Sequence, residues 1–338
     1  MVDYQTQFNQ VFNINNEENS PMIYDNPFTE DSDMYFDVAE HAPMWKGTGW
    51  FDQNYLNDPQ PEYHSDSNYK MLVRTDTNEV LGIHGSDYST IQNRDFFTHI
   101  EEHLVNEFDP LELQGLKIED SVSDGGKVCV RQYLFPKFSQ KLTTTNGHET
   151  TIQLRLIGWN CFDGSSKARI IFGDIDMFCT NGMIIGEKNV VAKKRSKNFE
   201  LSSLTHSFSS MVDAFDHKIN LYREWAMKPV TIREVEVFFE NAFKTGREKK
   251  DGTYENTQRF IDTFKQESAI RGQNIWAVVS AMTNYSSHTD NNWKLNKQSE
   301  GKETIALNKR QEQVQKVMSS DPFKQLAYVS ALDMSRSI

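Results

Sequence analysis

The stretch that decides the fold is Lys127-Val-Cys-Val-Arg-Gln-Tyr-Leu-Phe135, with Thr151-Ile-Gln-Leu-Arg-Leu-Ile-Gly-Trp159 and Ala168-Arg-Ile-Ile-Phe-Gly-Asp-Ile-Asp-Met-Phe-Cys179 behind it. Each run is rich in β-branched, aromatic or aliphatic residues, and Gly, Asn and Asp turns separate them. Within Gln153–Trp159 the side chains alternate, giving one face to a core and one to solvent, so the three runs predict an antiparallel meander. Downstream the period changes. Leu201, Leu204, Phe208, Met211, Val212, Phe215, Ile219 and Tyr222 recur at helical spacing from Asn198 onward, and Pro229 limits that helix near Trp225. Further helices are predicted over 231–246, 255–287 with a break at Gly272, 303–319 and 322–333. Upstream, Tyr69–Arg74 and Val80–His84 read as a hairpin around the turn Thr75-Asp-Thr-Asn78. Phe96, Phe97, Ile100, Leu104 and Phe108 predict an amphipathic helix over 93–108, which Pro110 ends. Strands followed by helices, rather than the two in alternation, give an α+β protein with a central antiparallel sheet and a helical carboxy-terminal layer.

The chain has 338 residues, 37% hydrophobic and 25% charged, enough to bury a core without disulfides or metals. Cys129, Cys161 and Cys179 are odd in number and form no C-x-x-C pair, which argues against a disulfide framework and fits a reducing cytoplasm. No run approaches the roughly eighteen apolar residues of a membrane span, and MVDYQTQFNQ lacks the features of an export signal. The net charge of −12 is unevenly distributed. Residues 1–126 carry 25 acidic and 5 basic side chains, a net −20, whereas residues 127–338 carry a net +8. Residues 1–40, rich in Asn, Asp, Glu and Ser without periodicity, read as a flexible acidic arm in which Phe28, Tyr35 and Phe36 could dock on another surface. The rest, 41–335, reads as a single α+β domain, β-rich over 67–186 and helical over 198–335.

An ordered series of motifs then stands out. It runs from His41-Ala-Pro-Met-Trp45-Lys-Gly47-Thr-Gly49 through Arg74, Asp76-Thr77, Leu81-Gly82, Tyr88 and Gln92-Asn93. It continues through Trp159-Asn160, Asp163-Gly-Ser-Ser166, Cys179-Thr-Asn181 and His206-Ser207 to Trp276–His288. This series resembles the phage/plasmid-like family designated domain of unknown function 932, over about residues 40–330. Members commonly carry an Arg shortly before the Cys-x-Asn motif, where this chain has Asp176-Met-Phe. The resemblance supplies no reaction; it implies a mobile-element context in the host bacterial cytoplasm, with DNA metabolism or defence interaction as the setting.

The sharpest chemical feature is a basic cluster, Lys188, Lys193, Lys194, Arg195 and Lys197, joining the meander to the long helix. Several cations together release counterions from a phosphate backbone, and Phe199, Trp159 or Phe162 could stack on bases. Arg155 and Arg169 are strand residues that add to the same expectation. Single-stranded DNA is therefore the expected ligand, and the order of strands before a long helix resembles, in topology only, the annealing proteins of phage recombination and replication, which act as homo-oligomers. The solvated-loop reading of the same charges competes with it. A second reading makes the acidic amino-terminal part an inhibitor or interaction surface for a basic host protein. A third is a metal-dependent phosphodiesterase built on Asp174 and Asp176, which share a strand face, whereas Glu234 and Glu236 diverge on a helix. Ser165 with His206 and Asp213 could form a nucleophilic triad, although Asp-Gly-Ser is ordinary turn chemistry. Cys179 reads as a small buried hydrophobe, His288 as a helix-end residue, Trp45 as an anchor, and Trp276, Val279 and Met282 as one core face of a helix. No phosphate-binding glycine loop occurs, so no nucleotide cofactor is expected, and a binding protein is favoured over an enzyme.

Overall fold

A computed structural model describes residues 28, 32–46, 63–176, 182–183, 190–193, 201, 209–243, 255–287, 313–314, 316–318 and 326. In chain order come β1 (Val38–His41), β2 (Met44–Lys46), β3 (Tyr63–Ser65), β4 (Tyr69–Arg74), β5 (Val80–Gly85), α1 (Asn93–Glu107) and α2 (Pro110–Leu113). The long strands follow: β6 (Lys117–Ser123), β7 (Val128–Thr143), β8 (Glu149–Cys161), β9 (Ala168–Asp176), β10 (Gly182–Met183) and β11 (Val190–Lys193). Four helices close the series: α3 (Ser209–Met227), α4 (Ile232–Ala242), α5 (Glu255–Arg271) and α6 (Ile275–Ser287). The fold is α+β, with its longer helices mostly carboxy-terminal to the strands. Six strands form the large sheet in the order β10-β9-β8-β7-β6, with β11 also paired to β9; β1-β4-β5 form a second sheet and β2-β3 a third.

The chain divides into two compact units, Met1–Leu134 with Leu156–Ile171 and Val190–Phe208, and Phe135–Arg155 with Phe172–Asn189 and Ser209–Ile338. In the first unit, α1 turns Phe96, Phe97, Ile100 and Leu104 inward, as its three- and four-residue spacing requires. Gly158 on β8 permits this approach: a Cβ there would lie 2.8 Å from Ile100 Cδ1 and 2.9 Å from Phe97 Cε1. Helix α1 ends at Glu107, and Pro110 has a role the sequence reading did not give it. It is an early residue of α2, whose N-cap Asp109 and Glu112 form a reciprocal capping box.

The end of the expected arm belongs to this unit. Met34, Phe36 and Val38 are buried, and β1 pairs antiparallel with β4 from Val38↔Arg74 to His41↔Met71. The Gln92 side chain stands in for a further strand, donating to Val38 O at 2.9 Å and accepting from Val38 N at 3.0 Å. Phe28, Tyr35 and Phe36 thus contact residues of the first unit itself. Strand β6 was not anticipated. It pairs with β7 from Lys117↔Leu134 to Ser123↔Val128, and Pro136 stands just past the last β7 residue so paired, where a missing N–H costs no ladder bond on that side.

In the second unit, the aromatic rings of Phe239, Phe243, Phe260 and Tyr285 form a continuous cluster across α4, α5 and α6. Trp225 and Tyr222 of α3 are buried, and Tyr222 packs on Trp276 with ring centroids 5.0 Å apart. Trp276, Val279 and Met282 are all buried, as their spacing predicts. The break expected at Gly272 occurs: α5 ends at Arg271, Gly272 takes φ +81°, and α6 starts at Ile275. Thr231 caps α4 through a box with Glu234, so Glu234 closes a helix end, while Glu236 pairs with Arg233 at 3.5 Å. The expected helices 303–319 and 322–333 fall largely outside the described residues, as do 198–208 apart from Leu201.

Candidate nucleic-acid interface

Of the basic cluster, Lys193 ends strand β11 of the large sheet. Strand β11 pairs antiparallel with β9 in the register Val190↔Ile171, Val191↔Ile170, Ala192↔Arg169 and Lys193↔Ala168. Because β8 occupies the other side of β9, β11 lies, among the described residues, on the margin opposite it. Lys193, the last described residue of β11, lies one register step from Arg169, and the sequence continues through Lys194, Arg195 and Lys197. Lys188, Lys194, Arg195, Lys197 and Phe199 lie outside the described residues, and only the backbone of Lys193 is described.

Arg169 and Trp159 are brought together. The guanidinium carbon of Arg169 sits 4.3 Å from the centroid of the Trp159 ring, a cation–π stack between neighbouring strands β9 and β8. Both side chains are only partly buried. Arg155 differs: it is 7% exposed, and a buried guanidinium cannot reach a phosphate without rearrangement. Phe162 is also unsuited to base stacking, since it is fully buried with its ring 6.1 Å from that of Phe36.

The other candidate constellations are described in part. Asp163 Oδ1 accepts from Ser165 N at 2.8 Å and from the Cys161 thiol at 2.6 Å, with Ser165 Oγ 3.3 Å from that sulfur. Burial works to raise the Asp163 pKa, but these donors outweigh it and hold the carboxyl below its ordinary range. Ser165 therefore sits in a side-chain-capped turn; Asp213 is exposed on α3, and His206 lies outside the described residues. Asp174 is fully buried, accepting from Tyr222 O–H at 3.0 and 3.1 Å and from Lys218 Nζ at 3.4 Å. That carboxylate is consumed by the packing of α3 against β9, and the Asp176 side chain, Cys179 and His288 lie outside the described residues. Among the described residues no group of three or more His, Cys, Asp or Glu could hold a metal ion, and no helix is long and apolar enough to cross a membrane.

Several motif residues converge in the first unit. Asn160 donates to Asn93 Oδ1 at 2.8 Å and to Ile91 O at 3.2 Å, and Asn93 in turn donates to Met34 O at 2.8 Å. Tyr88 O–H reaches Cys161 O at 3.3 Å, while Arg74 forks onto Asp76 and stacks on Phe36 at 4.1 Å. Gly82 lets the chain at Phe162–Asp163 approach β5, since a Cβ there would lie 2.5 Å from Phe162 O. The sequence reading missed His84, whose Nε2 lies 2.6 Å from Phe162 O and whose ring stacks on Tyr88 at 3.9 Å. Its two-residue distance from the Leu81-Gly82 motif was the available signal. These residues bind the turn at Asp163 to the β1-β4-β5 sheet and to α1. No curated protein and no solved structure matches the chain. A family model matches residues 80–317, and the chain belongs to the family described as Domain of unknown function (DUF932).

Proposed function

We propose that the protein binds single-stranded DNA along the β11 margin of its large sheet. The observation that carries this reading is the Arg169–Trp159 stack, one register step from Lys193, the first residue of the run Lys193, Lys194, Arg195, Lys197. Cations would neutralise successive phosphates, and the indole offers a sequence-tolerant stacking surface. The net +8 charge of residues 127–338 favours approach of a polyanion to this part of the chain. Arg155, being buried, has no part in the proposal. Nothing in the reading requires cofactor or turnover: its chemistry is reversible binding, and annealing would follow if several copies assemble on one strand.

Fluorescence anisotropy with labelled single-stranded and duplex DNA across a salt series tests it. Binding should favour single strands and weaken steeply with salt. Alanine at 193, 194, 195 and 197 should flatten the dependence, because each lost phosphate contact removes roughly one counterion from the slope. Trp159→Ala should cost about 1–3 kcal/mol if one base stacks on the indole. Absence of binding at low salt, or an unchanged slope in the basic variant, removes the proposal.

A further inference from the structure

We propose that Asn146, at the tip of the β7–β8 hairpin, is a site of spontaneous deamidation, and that the product releases the hairpin from the carboxy-terminal end of α5. The sequence at the tip is Thr144-Thr-Asn146-Gly147-His148. Deamidation requires the backbone nitrogen of the following residue to reach the side-chain carbonyl carbon, and glycine, which has no Cβ, obstructs that approach least. Asn146 and Gly147 are both exposed, and a Cβ built on Gly147 meets nothing within 4 Å. The step balances with water as the co-reactant. The Gly147 nitrogen bonds to Asn146 Cγ, the Cγ–Nδ2 bond breaks, and the amide proton leaves with Nδ2 as ammonia; water then opens the cyclic imide to aspartate or isoaspartate.

The fold holds both reacting groups back. Gly147 N–H donates to Thr144 O at 2.9 Å. The Asn146 carboxamide is held at each end: Nδ2 donates to Ile270 O at 2.9 Å, and Oδ1 accepts from Thr144 Oγ1 at 2.6 Å. Attack therefore waits for the hairpin tip to open. Ile270 lies in the last turn of α5, where carbonyls have no partner within the helix, and the Asn146 amide supplies one. Replacing that amide by a carboxylate removes the donor and sets a negative charge against the negative end of the helix dipole. The reaction thus turns a transient opening of the hairpin into a permanent one.

The full chain is incubated at mildly alkaline pH, folded and in guanidinium chloride, then digested with trypsin. The peptide Leu142–Arg155, in which Asn146 is the only asparagine, is followed by mass spectrometry. Conversion of the amide to the acid should be several-fold faster in the unfolded chain. Asn146→Asp should lower the Tm further than Asn146→Ala, and added salt should narrow the gap by screening the charge at the helix end. The same rate in both states, no conversion in either, or an Asn146→Asp variant that melts with or above Asn146→Ala overturns the proposal. Should a variant fail to fold, the two rates in the unaltered chain decide.

Discussion

Arg131 sits where one guanidinium must serve two carboxylates. Its Nη1 donates to Glu101 at 2.7 Å, its Nε and Nη2 fork onto Asp120 at 2.7 Å each, and the Tyr35 hydroxyl completes the group. Asp120 is partly exposed and held below its ordinary range: burial opposes that, and the Arg131 fork and Ser32 prevail. Glu101 is buried and shares a cation whose charge Asp120 already matches, so burial pushes its pKa up to about 7. The sign of the consequence follows. Between pH 4.5 and about 7 the folded chain holds a proton that the unfolded chain has released, so this contribution to stability is complete below pH 4.5 and is lost as pH rises to 7. The loss is on the order of 3 kcal/mol. Urea unfolding at pH 5 and pH 7.5 should therefore show a fall in the parent that Glu101→Gln lacks; equal slopes would place the carboxyl's pKa near its unfolded value. At this scale the sequence is least legible. Arg131, Arg155 and Arg169 all stand in alternating strand patterns, and only tertiary placement makes the first two buried and the third a partner for Trp159.

At the scale of elements, the joint between α5 and α6 shows what a turn residue does beyond turning. Gly272 takes φ +81°, and a Cβ there would lie 3.2 Å from Thr145 Oγ1 and 3.3 Å from Asn146 Cγ, in the tip of the β7–β8 hairpin. The same Asn146 donates to Ile270 O at 2.9 Å, tying the hairpin to the end of α5. Gly272→Ala should cost about 1–2 kcal/mol in backbone strain plus the displacement of that tip. Gly147→Ala is the control, since Gly147 has φ +80° with nothing within 4 Å of a Cβ. A urea midpoint lowered further by the first substitution than by the second is the expected result; equal shifts would assign the whole cost to backbone. The break at Gly272, helix α1 and the meander were legible because each rests on local chemistry: a positive-φ glycine, a helical stripe, alternation. Strand β6 was not, because Lys117-Ile-Glu-Asp-Ser-Val-Ser is a charged, exposed edge whose only strand signal is the partner it pairs with. The chain at 32–41 escaped for a related reason: its polar composition hides single anchors, Met34, Phe36 and Val38, that matter only once a core exists to receive them.

For the molecule as a whole, charge and structure divide the chain at different places. The sign change near Gly126 falls inside the first compact unit, which includes acidic residues before it and the strand β11 that leads into the basic run. The family match also begins partway through that unit, at Val80, the first residue of β5. Yet β5 pairs with β4, which precedes the match, and the Asn93–Asn160 network is completed by Met34. The stretch that the family model covers and the stretch that completes these pairings are therefore different lengths of polypeptide. A fragment cut to 80–317 would bare Leu81 and the unpartnered rim of β5, and it should sediment as aggregate. A chain begun at Phe28 should stay monodisperse and melt cooperatively, and matching behaviour of the two in light scattering would make the early strands dispensable. Anyone trimming this protein for expression should cut ahead of the amino-terminal strap that plugs its core.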